Sequence, residues 1–402
     1  MKLQGVPRVL TNMTVVSPEH SPIATDSQAG PSTAGLLPQV QLPGTHMRVL
    51  GPPENRQFDL TLLPLPGETR AGLFERLAKV LRENAALPVQ QWVFGSLESL
   101  AGGEAELRAT VGEITWPVMW VEGADCVRGG LAGVQVMAVS KRDIQTVRVG
   151  ERVVACVFED GQARHCLLGG LGARAAGAAP EQARQTMEEL ETVLQQAGFA
   201  FGDLIRTWFY LDDLLSWYGE FNHVRTTFYG QRPFRIGSLP ASTGIAARNP
   251  FGTALAVGAW AIQPLKPTCT VQEIASPLQC PAPAYGSSFS RAMEIAMPFG
   301  RRLAISGTAS IEPGGATLWL GDIQRQIGLT MEVVEAILKS RGMGFAHTTR
   351  AIAYFKEAAF AAAFADWNVR SGGKFPTCLA VHDTICRDDL LFEIELDAVS
   401  AD

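Results

Sequence analysis

The sequence predicts an α+β protein of three repeated units set around one pseudo-threefold axis, the first unit degenerate. Three observations lead there. Residues 186–210 (TMEELETVLQQAGFAFGDLIRTWFY) align without a gap, at a constant offset of 144, with residues 330–354 (TMEVVEAILKSRGMGFAHTTRAIAY). The match pairs Thr186 with Thr330, Glu191 with Glu335, Leu194 with Leu338, Gly198 with Gly342, Arg206 with Arg350 and Tyr210 with Tyr354. Each copy reads as a helix, a glycine stop and a strand, so a supersecondary unit has been duplicated. A weaker third copy lies upstream, and units of roughly 100 residues match ordinary domain size.

Taken in order, residues 1–45 are rich in Pro, Ser, Gly and Gln and are expected to form a poorly ordered leader, within which Met13 could serve as the natural start. The degenerate first unit spans 46–145: Ala71–Leu87 is helical in pattern, Val89–Phe94 is a strand, and Gly133–Val139 is a closing strand. The middle unit spans 150–265. There Met187, Leu190, Val193, Leu194 and Ala197 recur at helical spacing against Glu188, Glu189, Glu191 and Gln195, and Gly198 stands where a left-handed residue ends the helix. Ile205–Leu211 is aromatic-rich and β-branched, hence a strand closed by Asp212-Asp213. A second amphipathic helix follows at Leu214–Tyr229, then a loop to Pro240 and an apolar strand. The C-terminal unit, 284–400, repeats this with a helix at Ala358–Arg370 and a loop to Pro376, and Trp116-Pro117 holds the same place in the first unit. Each unit thus reads strand, helix, strand, helix, strand. The five prolines between Pro264 and Tyr285 mark a linker.

Composition narrows the class. The chain is 47% hydrophobic and 18% charged, with no run of 18 apolar residues and no basic stretch feeding an apolar one. A soluble, cytoplasmic protein without membrane contact is expected. A net charge of −6 argues against general nucleic-acid binding, which needs a basic face. Seven cysteines without a CxxC pair argue against a disulfide framework, and six scattered histidines show no metal-ligand spacing, so neither a metal nor a cofactor is expected. Arginines outnumber lysines 27 to seven, which suits carboxylate recognition and equally follows from codon bias.

The copies diverge at their ends. Aligned from Pro240 and Pro376, Ala254–Ala259 falls beside Leu391–Leu396, so Glu393 stands where the middle unit has an alanine. Strand alternation puts Glu393, Glu395 and Asp397 on one face and Phe392, Ile394 and Leu396 on the other. A solvated strand face has the same pattern.

Phe375-Pro376 followed by Phe392–Val399 (FEIELDAV) resembles the end of the RidA (YjgF-type) superfamily, where FPAR precedes a closing strand of the form IEIEAIA. The resemblance covers roughly residues 150–400. It implies RidA-like α+β units that pack as a trimer with ligand clefts between neighbours, here closed within one chain as an intramolecular pseudo-trimer; whether the chain acts as that monomer or as a homo-oligomer stays open. In that superfamily the arginine after Pro-Ala grips a substrate carboxylate, whereas this sequence has Cys378 and Ser242 there. Arg206–Arg225 (RTWFYLDDLLSWYGEFNHVR), Leu239–Gly252 (LPASTGIAARNPFG) and the terminal FEIE more closely resemble the chorismatases, including the 3-hydroxybenzoate synthases.

That resemblance implies a small-molecule substrate, chorismate, and cleavage of its enolpyruvyl ether to pyruvate and 3-hydroxybenzoate, with 4-hydroxybenzoate as a further product. Protonating the terminal methylene needs an acid of raised pKa, and the resemblance assigns this to Glu393. Cys386, seven residues earlier, is where the family's aromatising and hydrolysing members differ; a small buried thiol without a role is the other reading. Arg206, Arg225, Arg248 and Arg350 are candidate donors to the two substrate carboxylates, although an arginine more often pairs with a neighbouring acid. Tyr210 and Tyr354 could bind substrate hydroxyls or close an aromatic cluster. Gly307 could admit the ring or serve a bulge. Two other functions remain open, a hydrolytic chorismatase giving a dihydroxycyclohexadiene carboxylate and a non-catalytic RidA-like module holding a small carboxylate.

Overall fold

The computed structural model describes residues 40–140, 142–173 and 177–401. The first unit runs β1 (Val40–Leu42), β2 (Thr45–Leu50), β3 (Gln57–Leu62), α1 (Arg70–Glu83), β4 (Ala86–Gly95), α2 (Leu97–Leu100), α3 (Gly103–Val111), β5 (Val118–Glu122), a two-residue strand β6 (Ala124–Asp125) and β7 (Leu131–Ser140). The second runs β8 (Gln145–Val149), β9 (Arg152–Glu159), β10 (Ala163–Leu171), α4 (Ala179–Gln196), β11 (Leu204–Leu211), α5 (Leu214–Gly230), β12 (Ala241–Ala246) and β13 (Leu255–Pro264). The third runs β14 (Thr270–Ile274), β15 (Ala292–Met297), β16 (Gly300–Ala309), α6 (Ile323–Ser340), β17 (Thr348–Phe355), α7 (Ala361–Arg370), β18 (Leu379–His382) and β19 (Phe392–Ser400).

The sheet orders are β1-β2-β3-β7-β4-β5, β8-β9-β10-β13-β11-β12 and β14-β15-β16-β19-β17-β18, the last extended by β6 from the first unit. All three follow one rule, with the final strand inserted between the third and fourth. The fourth and fifth strands pair in parallel, joined by a helical crossover. The expected α+β class in three units is the one observed. Each unit, however, opens with three strands where the sequence suggested one. The extra strands are short apolar runs such as Val153–Phe158, buried on both faces, and carry no alternation to read. Part of the expected linker, Thr270–Ile274, is likewise the edge strand β14. Of the expected leader, residues up to 39 lie outside the described residues, and β1 and β2 begin at Val40 and Thr45.

The duplicated helices end identically. Gly198 and Gly342 take positive φ (76° and 70°), and the next amides, of Phe199 and Met343, turn back to Leu194 O and Leu338 O at 2.8 and 2.9 Å. These are glycine-dependent helix stops. The following strand then alternates. Phe209 and Leu211 face α4 and α5, while Trp208 and Tyr210 join a core shared by all three sheets; in the third unit Ala353 and Phe355 against Ile352 and Tyr354 divide the same way. The sheets therefore meet by their inner faces at the axis, with the helices outside.

All seven cysteines are free thiols. Among the described residues no helix is long and apolar enough to cross a membrane, and no cluster of three or more His, Cys, Asp or Glu could hold a metal ion.

Candidate active site

The strand register fixes which residues of the three units are equivalent. Glu393 lies opposite Tyr354, Ala256 opposite Tyr210 and Gly133 opposite Phe94. Two residues on, Glu395 corresponds to Gly258 and Gln135. On the fifth strands, Thr243-Gly244 corresponds to Met119-Trp120 and to Leu379-Ala380. Each fifth strand packs against the next unit's sheet, β5 against β10, β12 against β16 and β18 against β7, so the ring contains three corresponding clefts.

Two are blocked by their own side chains. Between the first and second units, the Met119 sulfur lies 2.4 Å from where a Cβ on Gly258 would stand, and the bulky Trp120 holds the register position of Gly244. Between the third and first units, a Cβ on Gly133 would meet the Leu379 side chain at 2.6 Å. Between the second and third units the small Thr243 and Gly244 leave the cleft open. It holds a cavity of about 250 Å³, at the small end of ligand sites and suited to a one-ring metabolite.

Several backbone stitches build this cleft. Ser290 N donates to Pro240 O at 3.0 Å, Ser242 N to Ser306 Oγ at 2.8 Å and Ser306 N to Arg291 O at 2.9 Å. They lock the entrance of β15 against β12 and deliver Arg291 into the cavity. From the other side, Trp217 leaves helical geometry (φ −144°, ψ 18°) and its indole N–H turns back to Asp212 O at 2.8 Å. The regular part of α5 then starts at Tyr218, and Tyr218, Asn222 and Arg225, one turn apart, share the face that lines the cavity.

Glu393 is 4% exposed and has no hydrogen bond or ion pair among the described residues. Burial first, and then the negative charge of Glu395, push its carboxyl up to about 8, against the weaker pull of Arg206 and Arg291. At neutral pH it carries its proton. Gly307 lies against it, since a Cβ there would stand 2.0 Å from Glu393 Oε1. Cys386 is within hydrogen-bonding reach of the Tyr218 phenol; burial and the Glu393 charge push its thiol up to about 12, so it is a neutral group and not a nucleophile.

Three guanidinium groups line the same cavity without any carboxylate partner among the described residues. Arg225, 2% exposed, donates to Asn222 Oδ1 at 2.7 Å and lies over the Phe209 and Phe221 rings. Arg291, 3% exposed, uses Nε and Nη2 on Cys280 O at 3.1 and 2.9 Å. Arg387 donates Nη1 to Gly315 O at 2.8 Å. The buried Arg225 and Arg291 and the half-buried Arg387, without carboxylate counter-ions among the described residues, share the cavity with one protonated acid, an arrangement suited to a small anion.

The nominated residues divide accordingly. Glu393, Cys386, Gly307 and Arg225 meet at the cavity. Arg206, Arg350, Tyr210 and Tyr354 do not line it; they are buried at the axis, where both arginines bind Glu395. Arg248 lies at the contact of the first and second units, paired with Glu122 at 2.7 Å. The solvated strand face is also corrected, because every residue of β19 is buried. Tyr218, Asn222, Arg291 and Arg387 were not singled out. The first two lie inside the quoted 206–225 segment, whereas Arg291 and Arg387 belong to stretches the repeat does not cover.

The raised carboxyl has a thermodynamic consequence. Between about 4.5 and about 8 the folded chain holds a proton on Glu393 that the unfolded chain has released, so this group lowers stability progressively as pH rises through that window. Glu393→Gln removes the effect. The melting temperature of the variant is expected to gain on the wild type from pH 5 to pH 8 and to hold its lead above. A difference constant across the range would mean an unshifted carboxyl.

The chain matches the family described as Endoribonuclease L-PSP over residues 169–251. Among solved structures it is similar to a chorismatase, with a TM-score of 0.58 and 17% identity over 77% of this chain and 92% of the other. Smaller proteins overlap one unit: yeast Mmf1 (TM-score 0.28, 19% identity, 33% of this chain and 99% of that one) and Rv2704 of Mycobacterium tuberculosis, a member of the YjgF/YER057c/UK114 family (0.27, 20%, 33% and 100%). No curated protein matches the chain. The first of these likenesses extends over the three-unit ring and shows that its fold is shared with a chorismatase.

Proposed function

We propose that the cavity between the second and third units binds chorismate and cleaves its enolpyruvyl ether, releasing pyruvate and a hydroxybenzoate. The supporting observation is the single unpaired, proton-bearing Glu393 facing Arg225, Arg291 and Arg387, none of which has a carboxylate partner among the described residues. Chorismate supplies two carboxylates for the arginines and an acid-labile vinyl ether for Glu393. The fold shared with a chorismatase agrees with this reading.

Proton transfer from Glu393 to the terminal methylene makes the side chain an oxocarbenium ion. The ring C–O bond then breaks and its electron pair leaves with pyruvate, which carries that oxygen away and leaves a cation on the ring carbon. Loss of the proton of the neighbouring hydroxyl-bearing carbon to the Glu393 carboxylate gives 4-hydroxybenzoate. For 3-hydroxybenzoate the neighbouring hydroxyl oxygen first closes on the cation as an arene oxide, its proton passing to Glu393. Reprotonation with opening at its original carbon leaves the oxygen on the other carbon, whose proton the Glu393 carboxylate then takes. The acid is thereby regenerated. Hydroxybenzoate and pyruvate together have the composition of chorismate, so no water is consumed. The expected aromatic product is 3-hydroxybenzoate, with 4-hydroxybenzoate beside it.

Incubation with chorismate, pyruvate detection and chromatography of the ring product test the reading, and absence of pyruvate would end it. Arg225→Met and Arg291→Met keep the apolar stems but remove a charged donor each, and should raise KM roughly 10- to 100-fold, the worth of a charge-assisted hydrogen bond. If neither moves KM beyond twofold, the anchors lie elsewhere. Cys386→Ala should alter the product more than the rate. The neutral thiol fills the wall beside Tyr218, and the space left admits water to the oxocarbenium ion, diverting flux to the dihydroxycyclohexadiene carboxylate. An unchanged product ratio would make the thiol mere packing.

A further inference from the structure

Behind the cavity wall, polar side chains run without interruption to the pseudo-threefold axis. Glu395 shares the inner face of β19 with Glu393, two residues along. Its Oε1 accepts from Arg350 Nη2 at 2.6 Å and Trp208 Nε1 at 3.1 Å, and its Oε2 from Arg206 Nη2 at 2.8 Å. One carboxylate of the third unit is thus held by groups of both the second and the third. Arg206 Nη2 also donates to Thr243 Oγ1 at 2.9 Å, and that oxygen accepts the Gly307 amide at 3.1 Å. The Thr243 hydroxyl, lying close to Glu395, helps to hold that carboxyl ionised. Gly307 in turn abuts Glu393 Oε1. Every link from the axis to the acid is therefore a specified contact.

We propose that Glu395 is the positioning residue of this site: a permanent anion clamped between Arg206 and Arg350, it fixes the Gly307 wall through Thr243 and sets the pH at which Glu393 releases its proton. The inference rests on the reading of Glu393 as the proton donor.

Two carboxyls on one buried strand face cannot both ionise cheaply, and the one with cationic partners ionises first. Burial opposes ionisation of Glu395, yet Arg350 and Arg206 hold its carboxyl below the ordinary value. Glu393 has no such clamp. The charged and titratable groups facing it are Glu395 on its own strand, Arg206 from β11, Arg291 at the entrance of β15, Tyr354 opposite on β17, Tyr218 and Arg225 from α5, and Cys386 and Arg387 from the loop before β19. Of these the anion held permanently beside it is Glu395. The other two units show the same coupling in reverse: where Glu393 is replaced by Ala256 or Gly133, Glu395 is replaced by Gly258 or Gln135. The two carboxyls occur together, in the cleft between the second and third units.

The test follows the Glu393 carboxyl band by infrared titration of the full chain, without substrate, the band being assigned by its loss in Glu393→Gln. In Glu395→Gln the anion is gone and Arg206 loses its hydrogen-bonded counter-ion, so the midpoint should fall by about one pH unit or more. In Arg350→Gln the anion remains and loses one of its cations, so the midpoint should rise. Opposite shifts are not produced by general loosening of the core. An unchanged midpoint in folded Glu395→Gln overturns the proposal; if that variant does not fold, an unchanged or lowered midpoint in Arg350→Gln does. Because no turnover is needed, shifted midpoints in a protein that ignores chorismate would remove only the substrate reading, and turnover with fixed midpoints would remove only the positioning role.

Discussion

Glu393→Gln is expected to lower kcat by roughly two to four decades with little change in KM, the range associated with loss of a general acid-base group. The wild-type side chain is proton-bearing and neutral at pH 7, because burial and the Glu395 charge push it up to about 8. Glutamine is neutral as well and of similar size, so the cavity keeps its shape and charge while the transferable proton is lost. The pH profile gives a second reading. Wild-type kcat should decline above about pH 8, as the acid ionises, and the residual rate of the variant should lack that limb. Turnover by the variant near the wild-type rate would dismiss Glu393 as the donor.

Gly307→Ala should be nearly as damaging, through position instead of chemistry. The added methyl would stand 2.0 Å from Glu393 Oε1 and 3.2 Å from Thr243 Cγ2, so the carboxyl must swing aside. A displacement of about 1 Å at a reacting group costs on the order of a hundredfold in rate. The backbone itself is not at issue, since Gly307 has no positive φ. The expected outcome is a folded protein with kcat down about a hundredfold. A freely active Gly307→Ala enzyme would show that Glu393 works from another rotamer.

Repetition made much of the architecture legible in the sequence. The offset linking residues 186–210 to 330–354 returned the helix, the glycine stop and the strand of two units, because periodicity and a left-handed glycine are local properties. The unpaired Glu393 was also visible, as a carboxylate surviving in one copy. Partnerships made across units were less accessible. Arg206 and Arg350 recur at the same position, and a repeated arginine on an apolar strand reads equally as a ligand anchor and as half of a buried ion pair. Their fate depends on Glu395, 189 residues from Arg206 along the chain. Arg291 and Arg387 acquire meaning only once Ser290 is stitched to Pro240 and the loop after β18 folds over the cavity. Neither contact leaves a trace in local pattern.

The blocked clefts have a consequence for how such a protein changes over generations. In a ring of three separate identical subunits, any substitution is written three times, and a side chain that improves one pocket must be tolerated in the other two. Here Met119, Trp120 and Leu379 occupy two clefts and Thr243 and Gly244 leave the third free, and each is encoded once. Selection can therefore treat the three positions as separate traits, retaining bulky residues where the ring needs rigidity and small ones where it needs room. A single reading frame turns a symmetric scaffold into one whose parts are inherited independently.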